Sequence, residues 1–208
     1  MASTIVWGAA GGIGRALVEA LTEAGHVVVA ISRHPETLST LTPYAVYGDV
    51  TRPESVAEAI RQAEPHAPFE AFFYAVGDIA SLRAAEMSFA DWRRIIDANL
   101  TGAFLCVQAT LPYLAANAPL FFLGAIHERL RLPGLGAYAA AKAGLEAFAD
   151  VLRKEIRRPV TVVRPGAVAT PLWNKVPFRL PPNARSPREV AQAILQAWAE
   201  GRDGSLDL

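Results

Sequence analysis

The chain has one cysteine, Cys106, so no internal disulfide can form. Its setting in the apolar stretch AFLCVQA reads as a small buried hydrophobe. Neither sign of charge is in excess, with 20 Lys and Arg against 20 Asp and Glu. That excludes a broad basic field of the kind that holds nucleic acid or an anionic membrane. Long hydrophobic runs are missing as well. No stretch approaches the ~20 apolar residues of a membrane-spanning helix. The N-terminal run TIVW is too short for a secretory signal and lacks the basic flank. The four histidines, His26, His34, His66 and His127, show no metal-ligand spacing, so no metal is expected. Serine is absent between Ser88 and Ser186. The expectation left standing is a cytoplasmic protein whose partner is a small molecule, with no nucleic acid and no membrane.

What is present is a chain of 208 residues, 52% hydrophobic and 19% charged, enough for a single domain over 1–208 with a full core. TIVWGAA, HVVVAIS, YAVYGDV, EAFFYAVG, PLFFLGA and PVTVVRPG are continuous apolar runs, as strands covered on both faces should be. SLDL at the C-terminus is a weaker seventh. Helical stretches alternate with them. Three carry start signals at capping-box spacing: Thr51 with Glu54, Ser88 with Asp91, and Ser186 with Glu189, the last with Pro187 at the first helical position. Strand-helix alternation predicts an α/β, doubly wound fold of Rossmann type, a seven-stranded parallel sheet with helices on both faces in three layers. The proline-rich residues 171–187 are irregular and read as a short substrate lid.

The first strand runs into GAAGGIG, which opens a helix. Gly8, Gly12 and Gly14 give a tight turn, close approach of backbone to a pyrophosphate and close packing of helix on strand. The free amides of the helix N-terminus, with Ile13 beside them, suit an anionic dinucleotide. The spacing G-x-x-x-G-x-G resembles the short-chain dehydrogenase/reductase family. Further family motifs follow in order: Asp49-Val50 after the third strand, Asn99 in DANLTGAF, Tyr138 and Lys142 as Y-A-A-A-K, and Pro165, Gly166, Val168 and Thr170 in PGAVAT. The resemblance implies a nicotinamide-dependent oxidoreductase. Asp49 and Val50 would meet the adenine, Ala75 and Gly77 would line the site after the fourth strand, and Val168 and Thr170 would meet the carboxamide. At the end of the second strand, Ser32 stands where NAD-using members tend to carry Asp, and Arg33 follows as in many NADP-using members. The preferred cofactor is therefore NADP(H), with NAD(H) possible.

Tyr138 and Lys142 are four apart in a helical run and share a face. A nearby lysine cation should lower the tyrosine pKa and prepare Tyr138 as a general acid. By resemblance Lys142 also grips the nicotinamide ribose, and Asn99 holds a water that links Lys142 to solvent. The family's carbonyl-orienting serine, thirteen residues before the tyrosine, falls on Ala125 here. Three readings stay open. The substrate needs no such donor, as in some pteridine reductases of the family; His127 or Glu128 replaces it; or the chain is a nicotinamide-binding sensor or interaction module with little catalysis. Two other family positions have become apolar, Trp7 before the first glycine and Tyr74-Ala75-Val76-Gly77 after the fourth strand, so packing is expected to brace the strand ends. On the substrate side, Leu172, Trp173, Val176 and Phe178 would wall an apolar pocket, and Lys175 and Arg179 could meet an anion. Gly102, Ala103, Ala139, Ala143 and Gly144 suggest close helix approach between subunits of a homodimer or homotetramer.

Overall fold

The computed structural model describes residues 3–208. The apolar runs form β1 (Ser3–Trp7), β2 (Val27–Ser32), β3 (Ala45–Tyr47), β4 (Phe69–Tyr74), β5 (Leu120–Leu123), β6 (Val160–Arg164) and β7 (Gly204–Asp207). Every pairing is parallel, in the order β3-β2-β1-β4-β5-β6-β7. The chain winds outward from β1 to β3, returns to the other side of β1, and winds outward again to β7. That reversal leaves a crevice beyond the carboxyl ends of β1 and β4.

Side chains alternate along each strand between two cores, as the period of two requires. Ile5, Trp7, Phe72, Tyr74 and Phe122 face α2 (Pro53–Ala63), α4 (Gly102–Thr110) and α5 (Gly136–Ile156). Val6, Phe73 and Phe121 face α1 (Gly12–Glu23) and α6 (Pro187–Ala199). Both faces of β1 are therefore buried, which is why its sequence does not alternate. Cys106 is buried as a free thiol. Among the described residues no helix is long and apolar enough to cross a membrane.

Two of the three caps form. Ser186 and Glu189 make a complete capping box with Pro187 at the first position. The Ser88 hydroxyl caps α3 (Phe89–Ile96) by accepting from the Asp91 amide at 3.0 Å. The Thr51 cap does not form. Pro53 fixes the first helical position and holds Arg52 extended, so Arg52 is the N-cap. Thr51 turns back to Asp49 instead, donating its amide and hydroxyl to that carboxylate at 3.0 and 2.8 Å.

Trp7 and Tyr74 lie opposite one another in register, both fully buried. Their bracing is more polar than the sequence implied. The Trp7 indole donates to Thr110 Oγ1 at 3.4 Å, and the Tyr74 hydroxyl donates to the Ala98 carbonyl at 2.7 Å. A Cβ at position 102 would stand 2.6 Å from that hydroxyl, so Gly102 makes room for Tyr74 within the same chain. Ala103 is likewise fully buried, and Gly144 abuts Leu100. These three small residues serve packing within the chain.

Candidate active site

The glycine loop follows β1. Gly8 has φ +80°, and a Cβ there would lie 2.7 Å from the Val76 amide nitrogen. A Cβ on Gly14 would fall 2.2 Å from the Gly8 carbonyl oxygen, and one on Gly12 would fall 2.7 Å from Thr170 Cγ2. Gly11 is the N-cap of α1. It supplies no side-chain cap, and the first turn holds no acidic residue. The helix therefore presents uncapped amides and a partial positive charge with no acid to quench them, as a pyrophosphate site requires. Gly12, Ile13, Ala75, Gly77, Pro165, Val168 and Thr170 line one cleft of about 1170 Å³. At the end of β2, the Ser32 hydroxyl accepts from the His34 amide at 2.8 Å. Arg33 is exposed and makes no ion pair among the described residues. Val50 is buried beyond β3, and Asp49 is half-buried with its carboxylate on Thr51.

Tyr138 and Lys142 enter the same cleft from α5. Lys142 Nζ donates to the Leu123 carbonyl at 2.7 Å and lies 5.6 Å from the centre of the Tyr138 ring. Both side chains are almost fully buried, at 8% and 3% exposure. Burial pushes the Tyr138 phenol up to about 12 and the Lys142 ammonium down to about 7. This corrects the expectation that the lysine depresses the tyrosine. Burial of the phenol is the cause of its shift, and the same burial lowers the lysine. Tyr138 is thus firmly protonated at neutral pH.

Asn99 lies in a single π-helical turn, Asp97–Thr101, between α3 and α4. The wide turn swings its side chain inward. Nδ2 donates to the Asp78 and Ile95 carbonyls at 2.7 and 2.8 Å, while Oδ1 is buried with no partner. An orphaned buried acceptor beside Gly77 leaves a hydrogen-bonding position open to a water or ligand.

β5 is followed by Gly124 and Ala125, which line the cleft. His127 does not. It turns toward α5, with Nδ1 3.0 Å from Glu146 Oε2, a close contact without hydrogen-bond alignment. Arg164 at the end of β6 gathers Glu128 at 2.6 Å, Glu146 at 3.1 Å and Asp207 at 3.3 Å. His127 and Glu128 are drawn into this charge cluster, and neither lines the cleft. Sequence reading missed the cluster, although Glu146 lies four residues beyond Lys142 on one helix.

The segment after Thr170 forms a short 3-10 turn, Pro171–Lys175. Leu172, Trp173, Val176 and Phe178 all line the cleft. Trp173 is fixed by its indole donating to the Val168 carbonyl at 2.8 Å. Lys175 is not free for an anion, because its Nζ lies 2.6 Å from Asp78 Oδ1. Burial opposes ionisation of Asp78, but Lys175 and Arg94 outweigh it and hold the carboxyl below its ordinary range. Asp78, directly after Gly77, went unnoticed in the sequence. It ties the lid to α3 and, through its carbonyl, to Asn99.

The short chain dehydrogenase family matches residues 2–179. The chain is a member of that family. It is 30% identical over 182 residues to the 3-amino-tetrahydro-pyrrolizinone reductase of Xenorhabdus hominickii, covering 83% of this chain and 64% of the relative. It is 27% identical over 217 residues to the 3-oxoacyl-[acyl-carrier-protein] reductase FabG of Thermotoga maritima, covering 92% and 87%. Among solved structures, the alcohol dehydrogenase of the archaeon Thermococcus sibiricus, complexed with 5-hydroxy-NADP, superposes with a TM-score of 0.91 at 22% identity, covering 100% and 96%. Family and fold together make this short-chain dehydrogenase an NAD(P)-dependent oxidoreductase with a Rossmann-type nicotinamide site.

Proposed function

We propose that this short-chain dehydrogenase is an NADPH-dependent reductase of small carbonyl compounds, with Tyr138 as the general acid. The observation that carries the reading is the Tyr138 and Lys142 pair, buried in one cleft with the glycine loop. The bound nicotinamide supplies or accepts the hydride. A phenol that burial keeps protonated is ready to give its proton to a developing alkoxide. Lys142, anchored on the Leu123 carbonyl, holds a donor beside that phenol, and the open Asn99 Oδ1 offers a place for a relay water. Arg33, exposed and unpaired beside Ser32, suits a 2′-phosphate, and no acid stands there to repel it. Residues 171–187 serve as the lid, fixed at Trp173 and at Lys175.

One observation favours a second reading. The tip of β5 offers Ala125 and no side-chain donor, and His127 faces away. A nicotinamide-binding module with little catalysis would tolerate that. Turnover of NADPH with aldehydes, diketones, quinones and quinonoid pteridines separates the two. Tight NADPH binding with no turnover, unchanged in Tyr138→Phe, would establish the module. Pairing of α4 and α5 between subunits is also part of the proposal, since Phe104 and Val151 are 45% and 54% exposed on those helices. The buried free thiol suits the reducing cytoplasm.

A further inference from the structure

The cleft has a charge bias that the whole chain lacks. Its charged lining is Arg129, Lys142, Lys175, Arg179, Arg185 and Glu189, within a chain of zero formal net charge. Several of these are already committed. Glu189 closes the capping box of α6, Lys175 pairs with Asp78, and Lys142 bonds to Leu123. Arg129, Arg179 and Arg185 are exposed and make no ion pair among the described residues. Arg185 bridges Val168 and donates its amide to Ala167, which places it on the cofactor wall. Arg129 and Arg179 line the same cleft from two other segments. Arg129 lies in the turn that follows Ala125, and Arg179 lies in the lid beside Phe178.

We propose that the substrate is a small carbonyl compound carrying a carboxylate or phosphate, held by Arg129 and Arg179 at the mouth of the cleft. This rests on the reductase reading and names its substrate class. Two guanidinium forks from separate elements suit an oxyanion, and a surplus of cations over one mouth draws anions toward it. Leu172, Val176 and Phe178 line the same cleft and leave apolar surface for the rest of a small substrate. The same anchor explains how Ala125 is tolerated. With no hydroxyl at the β5 tip, the carbonyl must be oriented from elsewhere. Binding energy from a remote charged group can align it against Tyr138.

The test compares short oxo acids and oxo phosphates with the methyl esters of the same acids, using the full chain and NADPH. The anions should be favoured about tenfold or more in kcat/KM, through kcat as well as KM, and added salt should shrink that margin. Arg129→Ala and Arg179→Ala should each erase most of the preference, and the lysine substitutions should restore part of it. Equal kcat/KM for acid and ester would overturn the proposal while leaving a reductase. A rise in the KM for NADPH in these variants, with the acid preference intact, would assign the arginines to the cofactor and overturn it equally. NADPH binding without turnover of any member defeats the reductase reading, and this inference with it.

Discussion

The two walls of the cleft are made of different material. The cofactor wall is backbone. Gly8, Gly12 and Gly14 each sit where a Cβ would meet another atom at 2.2 to 2.7 Å, and the ligand-facing groups are amides at the start of α1. The proposed substrate wall is side chains, Leu172, Trp173, Val176 and Phe178, with Arg129 and Arg179 also in the lining. Backbone space is set by sterics, so its sequence pattern is narrow. A side-chain wall can be rebuilt one residue at a time, and Ala125 is a departure of that kind. Tyr138 stands where the walls meet, and the largest effect is expected there. Tyr138→Phe should lower kcat by about 100- to 10,000-fold while NADPH still binds. Single-turnover kinetics beside a fluorescence titration checks both halves. Residual activity near that of the parent would remove Tyr138 from the chemistry.

Arg33→Ala tests the cofactor wall alone. Loss of a charge-assisted contact to a phosphate should weaken NADPH by roughly 10- to 100-fold and NADH by little. Dissociation constants for both nucleotides decide it. Equal weakening would mean that Arg33 does not read the 2′-phosphate.

The same contrast explains what was legible in the sequence. The inner strands were visible because both faces of the sheet are covered there, which leaves unbroken apolar runs such as LFFL, whereas β7 at the edge has alternate residues exposed and gave the weaker signal. The glycine loop was visible because no other residue fits it. The Thr51 cap failed because a proline two residues on moved the helix start, a local effect that motif spacing ignores. The Arg164 cluster and the Asp78 hub were invisible for another reason. Their partners come from residues 78, 94, 128, 146, 164, 175 and 207, brought together only by sheet order. The tyrosine shift went unforeseen because spacing shows a lysine nearby but not how deeply both groups are buried.

Ala125→Ser asks whether the substrate wall can be returned to the family pattern. A new hydroxyl at the β5 tip should raise turnover of neutral carbonyls by up to about 10- to 100-fold. It should help an anchored anion less, because that substrate is already oriented. Steady-state kinetics on acid and ester pairs measures the difference. An equal gain for both would mean that the charged anchor does not orient the carbonyl.

The smallest effect concerns stability. Lys142 is depressed by burial to about 7, below the usual lysine range, so between pH 7 and its unfolded value the folded chain binds fewer protons than the unfolded one. Stability should therefore rise with pH across that window. Tyr138 works in the opposite direction at higher pH. Raised to about 12, it keeps its proton while the unfolded chain loses one above about pH 10, so stability falls from there. The two groups together place a maximum near pH 10, where the lysine penalty has been relieved and the tyrosine penalty has yet to begin. Urea unfolding of the ligand-free protein at intervals from pH 6.5 to 9.5 should show the rise, and Lys142→Met should flatten it. A slope unchanged in that variant would mean the ammonium is better solvated than its burial under β5 implies, and the base of the cleft would then be wetter than the dry pocket that keeps Tyr138 protonated.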